Sequence, residues 1–297
     1  MIITCPSGLQ FHARTWNLGD QGSLIEASID DSQNVAIRML ELATIPNGVV
    51  DPGPYSFKEG GNVSWGDVTQ VDITTANLEI RKASNPLVPF HQACTRCGKL
   101  PEDQVYIDLR DLEVYPASEE GLNHIRTNVP ANMSLIDSQG RSVTVKVKLL
   151  FGRDMAFLSR FQEQEQSRML EIQAVASIAS IEVPGESSPL TTFQDIREYW
   201  RQQSWEFGEA VEEKVDGMGG SVDTTVVFRC DDLSCHREQE VPLPLDEKFY
   251  GLSGRHKRRR LRASSATPSA SIEKTTPEVS LPSPPDTPKP PILTSEA

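Results

Sequence analysis

Four of the five cysteines in this 297-residue chain fall into two close pairs, Cys94-x-x-Cys97 and Cys230-x-x-x-x-Cys235, with 132 residues between them. An odd cysteine count without an export signal makes a poor disulfide framework. Paired spacing is instead what a thiolate metal site requires. A two-residue spacer lets both sulfurs of a tight turn point at one ion, and a four-residue spacer does so from a looser loop. Zinc accepts four thiolates tetrahedrally, and such closed sites are structural. Each pair is followed by a polar linker and then an apolar stretch, GKLPEDQVYIDL after the first and HREQEVPLPL after the second. Two such hairpins facing each other form a zinc-ribbon-like clasp, so the chain between them must return to where it left. Two unlinked buried thiol pairs and a redox pair are the alternatives. His91 and His236 stand beside the cysteines and could each replace a thiolate; a hydrogen-bonded or solvent-facing role fits both better.

The elements between and around the pairs read as a mixed α+β chain. Residues 34–45 carry apolar spacings that suit a helix in part and a strand in part, and stay ambiguous. DPGPY at 51–55 is a loop, because Pro52 and Pro54 fix φ and donate no backbone hydrogen bond. Residues 67–84 form a helix running toward the first cysteine pair. Val105, Ile107 and Leu109 alternate as a half-buried strand. A β-rich stretch follows, with SVTVKVKLLF at 142–151 its clearest strand. From Asp154, Leu158, Phe161, Met169, Ile172, Val175 and Ile178 recur at helical spacing, until Pro184 and Gly185 end the run. A second helix starts at Thr192 as N-cap with Asp195 three residues on, and its stripe is Phe193, Ile196, Trp200 and Phe207. After MGGSVD the strand TTVVFRC delivers Cys230. Three regions result: an N-terminal α+β region with the first pair (2–115), strands plus a two-helix insertion with the second pair (116–250), and a tail (251–297).

The tail differs in composition. It holds eight of the 21 prolines, eight Lys/Arg and four acids. Its apolar surface is too small to offset the entropy of ordering, so it is expected to be disordered. The chain carries −13 overall from 29 basic and 42 acidic residues, which leaves −17 on residues 1–250. A body that acidic repels phosphate backbones, which disfavours nucleic acid unless the tail alone makes the contact. The run Arg255, Lys257, Arg258, Arg259, Arg260 and Arg262 could make that contact or dock on an acidic partner; a solvated linker is the plainer reading. No run of ~18 apolar residues suits a membrane helix, and the N-terminus lacks a signal-peptide pattern. The expectation is an intracellular soluble protein.

Catalytic signals are weak. Cys5 reads as a small buried residue rather than a nucleophile. Asp108, Asp111 and Glu113 could be drawn as a carboxylate site but read as solvated acids, and Asp51 and Asp67 read as turn caps. GxxxxGK[ST], HExxH and GxSxG are all missing from the sequence. No enzyme activity and no small-molecule substrate are expected.

The order of motifs carries a resemblance. PSGL (6–9), WNLGD (16–20), DPGPY (51–55), Trp65-Gly66-Asp67, LEIRKAS (78–84), CTRC (94–97), IDLRDLEV (107–114), LLFGRDM (149–155) and a late cysteine pair leading to PLPLDEKFY (242–250) occur in one line. Over about residues 2–250 the chain resembles the T4-type phage baseplate hub assembly chaperone family. Cys94, Cys97, Cys230 and Cys235 match the family's cysteine positions. Members usually show C-x2-C at both places, and the Cys230–Cys235 loop departs from that. The resemblance implies a non-enzymatic role in building the phage tail baseplate, with other tail proteins as partners. The location it implies is the host cytoplasm during assembly, or the virion baseplate. The competing expectation is a zinc-ribbon nucleic-acid-binding protein that uses residues 255–262.

Overall fold

The computed structural model describes residues 1–17, 19–20, 35–90, 93–100, 105–162, 168–223, 225–230, 232 and 234–243. The tail, with its basic run, and His91 lie outside the described residues. The fold is α+β, and every strand pairing among the described residues is antiparallel.

Strands β1 (Ile2–Thr4), β2 (Gln10–Ala13) and β3 (Thr44–Asp51) form one sheet in the order β1-β2-β3. Helices α1 (Val35–Ala43) and α2 (Gln70–Ser84) accompany this sheet. Ile3, Leu9, Phe11, Leu40, Ile73 and Ile80 meet in its core, where Phe11 and Trp65 stack edge-on at 5.2 Å. The ambiguous residues 34–45 thus divide, the helical spacing serving α1 and the remainder opening β3. The DPGPY loop turns at Gly53, whose φ of +57° strains any side chain and whose added Cβ would press on the Leu9 and Gly8 backbone at 3.0 and 3.1 Å. Asp51 caps that turn by accepting the Gly53 N–H at 2.8 Å.

A two-stranded ribbon follows, β4 (Leu87–Phe90) with β5 (Val105–Asp108). Its inner pair, Val88 and Ile107, packs with Met39, Leu78, Leu109 and Leu243 in a separate cluster. That cluster seats the ribbon on α1 and α2 and fixes where the first cysteine loop emerges. Strand β6 (Val114–Tyr115) precedes helix α3 (Glu119–Thr127). No helix was read from the sequence there. Its start is nonetheless local, since the Ser118 hydroxyl accepts the Gly121 N–H.

The second sheet, β7 (Ala131–Ile136), β8 (Ser142–Val147) and β9 (Ile178–Glu182), has β8 at its centre. Val143, Val145 and Val147 of β8 face the core on one side, the alternation read from the sequence. Helices α4 (Gly152–Gln162) and α5 (Met169–Ala176) lie between β8 and β9. Here the expectation needs correction, because the helical run does not reach Pro184. It stops at Ser177, whose carbonyl accepts the Lys148 N–H at 2.8 Å. Ile178 and Ile181 then pair onto β8. Apolar residues three apart satisfy a helix stripe on paper, and the free edge of β8 decides otherwise.

Thr192 does N-cap its helix, accepting the Asp195 N–H. The segment is two helices rather than one: α6 (Phe193–Trp200) and α7 (Trp205–Gly219), the latter recapped by Ser204. Ile196, Tyr199, Phe207 and Val211 close the second core. Strand β10 (Ser221–Val222) then pairs back to β6, across the 115/116 division drawn from the sequence. Last comes the ribbon β11 (Thr225–Arg229) with β12 (Glu238–Pro242). No helix among the described residues is long and apolar enough to cross a membrane.

Candidate metal centre

Each ribbon ends in a cysteine loop. In the first, the Gly98 N–H donates to the Cys94 carbonyl and the Cys94 N–H to the Lys99 carbonyl, both at 2.8 Å. Gly98 has φ +72°, so a glycine follows the second cysteine for a conformational reason. The second loop must span four residues. Asp232 organises it, accepting the Ser234 N–H on its carboxylate at 2.8 Å and the Cys235 N–H on its carbonyl at 2.9 Å. His236 turns the chain back at φ +44°. The wider spacing is thereby folded into a turn that presents Cys235 beside the first pair.

The four sulfurs of Cys94, Cys97, Cys230 and Cys235 lie within 4.8 Å of one another, and the group could hold a metal ion. His236 is not part of it. Two of the contacts cross between the ribbons: Cys94 Sγ to Cys235 Sγ and Cys97 Sγ to Cys230 Sγ, both 3.7 Å. These are free thiols, not disulfides. A regular tetrahedron with metal–sulfur bonds of ~2.3 Å has edges of ~3.8 Å. The cross-ribbon contacts therefore have the separation that a four-thiolate centre needs.

The thiols share their protons unevenly. The Cys97 backbone N–H is the main cause that holds the Cys94 thiol down, to about 6. At Cys230 the Asp232 backbone N–H pulls down, but burial and the neighbouring thiols push the group up to about 12. Four adjacent sulfurs cannot all ionise without a cation among them.

Two contacts outside the sulfurs hold the loops together, and neither was read from the sequence. Lys99, from the first loop, pairs with the Asp232 carboxylate of the second, which lowers Asp232 and raises Lys99. The Gln239 side-chain carbonyl accepts both the N–H and the hydroxyl of Thr95 at 2.7 Å. The only sequence signal for the first is position, one charge of each sign beside the two cysteine pairs, and the second has none.

The other candidate residues have local roles. Arg110 holds the Asp108 carboxyl down to about 2 by a side-chain hydrogen bond, and Glu113 accepts the Tyr115 hydroxyl at 2.6 Å. Asp67 pairs with Arg153. Cys5 is buried, which pushes its thiol well up. Its neighbour in the fold is a buried polar group that the sequence reading missed. Asp72, fully buried, accepts the Ser7 N–H at 3.2 Å, the Ser7 hydroxyl, and the Tyr55 hydroxyl at 2.6 Å. Ser7 and Tyr55 belong to the PSGL and DPGPY motifs, so two loops distant in sequence converge on one carboxylate.

Fold and site together define an α+β protein in which a four-cysteine cluster joins two β-ribbons. Compared with protein-family models, curated proteins and solved structures, the chain matches none.

Proposed function

We propose that this chain is a non-enzymatic assembly protein of the phage tail baseplate hub, held closed by a structural zinc ion. The observation that carries the zinc is the sulfur geometry: two 3.7 Å contacts that each join one ribbon to the other. Four thiolates fill a tetrahedral zinc and leave no position for water or substrate, which is the arrangement of a structural site. The assembly role is supported by the order of sequence motifs from PSGL to PLPLDEKFY, and two of those motifs meet at Asp72. The partners are baseplate and tail proteins met in the host cytoplasm during assembly.

Native mass spectrometry should give a mass increment of one zinc ion that a chelator removes; an intact chain with no metal sinks the zinc. Coexpression with the adjacent tail genes should yield a stable complex with a hub or tail protein, and recovery of the chain alone would sink the assembly role. A second reading, nucleic-acid binding, is favoured by the run Arg255–Arg262. It requires an affinity for DNA that falls steeply with salt and disappears when residues 251–297 are deleted.

A further inference from the structure

A cleft of about 420 Å³ opens between α2, α5, α7 and β10, away from the cysteine centre. That is within the ~300–1,000 Å³ of ordinary binding clefts. Leu149, Leu150, Val211 and Val215 give it apolar walls. Leu170, at 78 % exposure, extends the apolar surface at its edge. Two carboxylates, Glu212 and Asp216, also line it, and among the described residues no lysine or arginine does. They stand one turn apart on α7, so their Cβ atoms are roughly 6 Å apart. Both are exposed at the cleft rim, and partial desolvation raises each, Glu212 further by Asp216 and Glu209. The nearby Lys214 is spent on Glu120. Among the described residues neither carboxylate has an ion-pair partner.

An apolar trough with an uncompensated acidic rim calls for an occupant that is apolar on one side and cationic at the edge. We propose that the cleft docks an amphipathic helical segment of a partner protein, its apolar stripe on Leu170 and Val215 and two Lys or Arg side chains, four residues apart, on Glu212 and Asp216. Helix-in-groove recognition uses that pairing of apolar anchors and flanking charge. The i, i+4 spacing of the acids matches the i, i+4 spacing of the cations on a helix laid alongside α7. Charge on the rim sets the partner's orientation and speeds its encounter. The inference deepens the assembly reading, because it states what kind of segment a tail protein would offer.

The test uses the full chain and a fluorescent 15-residue helical peptide with a leucine stripe and lysines four apart, followed by anisotropy at physiological salt. The leucine–lysine peptide should bind. Glu212→Gln with Asp216→Asn, and separately Leu170→Ser, should each weaken it at least tenfold. Glu213→Gln, on the same helix but outside the cleft, should change binding less than twofold. A peptide with serines for the leucines should bind at least tenfold more weakly. Leu170 is so exposed that its replacement cannot act through the core. No binding of the leucine–lysine peptide at millimolar concentration overturns the proposal. So does an equal loss in Glu213→Gln, which would mean charge attraction without a site. If the peptide behaves as expected but no tail protein copurifies, the assembly reading fails and the cleft stands. If a tail protein copurifies as well with Glu212→Gln/Asp216→Asn, the cleft fails and the assembly reading stands.

Discussion

Asp72 places a carboxylate where the inward stripe of α2, positions 72, 76 and 80, asks for carbon. Burial raises its pKa, and the hydroxyls and amide of Ser7 and Tyr55 pull it back only in part. An acid whose folded pKa is raised contributes stability that is complete below its unfolded value and is lost as pH rises through the folded one. Acidification from neutral pH should therefore strengthen this group's share of stability. Asp72→Asn removes the titration, so the gain in urea midpoint between pH 7 and pH 5 should be smaller in the variant than in the wild type. An equal or larger gain in Asp72→Asn would contradict that sign. Asp72→Ala strands the Ser7 N–H and hydroxyl, leaves the Tyr55 hydroxyl only Thr69 as acceptor, and should cost about 1–3 kcal/mol at neutral pH. Ser7→Ala, which keeps the carboxylate and its other donors, should cost less. An aspartate inside a helix reads as solvated unless its place on the buried stripe is noticed, and its partners sit in loops 65 and 17 residues away. The cysteines were legible for the opposite reason, since few other chemistries use two close thiol pairs.

At the scale of elements, what the chain encodes locally was legible and what distant elements impose was not. The Thr192 cap and the β8 alternation depend on neighbours within a few residues, and both are present in the fold. The strand at Ile178–Glu182 exists because β8 offers an edge, and no helical period within that stretch could report it. Helix α3 is similar, since its place is set by contact with α7. A Cβ on Gly121 would lie 1.9 Å from the Met218 carbonyl oxygen, the same oxygen that accepts the Ser118 N–H at 3.2 Å. Alanine normally favours a helix over glycine by ~1 kcal/mol. Here the obstacle is backbone and cannot rotate away, so Gly121→Ala should destabilise by about 1–3 kcal/mol through overpacking. Chemical denaturation decides it, and a higher midpoint in the variant would show that α3 and α7 can separate without cost. Gly217, with nothing near its added Cβ, is the control that should tolerate alanine.

For the whole molecule, the question is what the cysteine centre holds in place. The β4–β5 ribbon is anchored twice, by Val88 and Ile107 in the apolar cluster and by the first cysteine loop. The β11–β12 ribbon joins that cluster through Leu243, just past its last strand, and meets the first loop through Gln239, Asp232 and the sulfurs. Among the described residues its strands form a sheet with each other alone, and an isolated hairpin is marginal in water. Zinc in small modules contributes about 10–16 kcal/mol, and a share of that would fall on this ribbon first. Chelation should therefore speed hydrogen exchange most in Thr225–Arg229 and Glu238–Pro242, and less in Leu87–Phe90 and Val105–Asp108. Ser142–Val147, central in its own sheet and sealed by the second core, should keep its protection. Cys97→Ser removes one sulfur from the most exposed corner of the set and should reproduce the pattern without chelator. Loss of protection spread evenly over β8 and both ribbons would make the centre a determinant of global folding, not a clasp. Unchanged exchange in the ribbons, with zinc shown by mass to have left, would mean that Gln239, Asp232 and Leu243 hold them unaided.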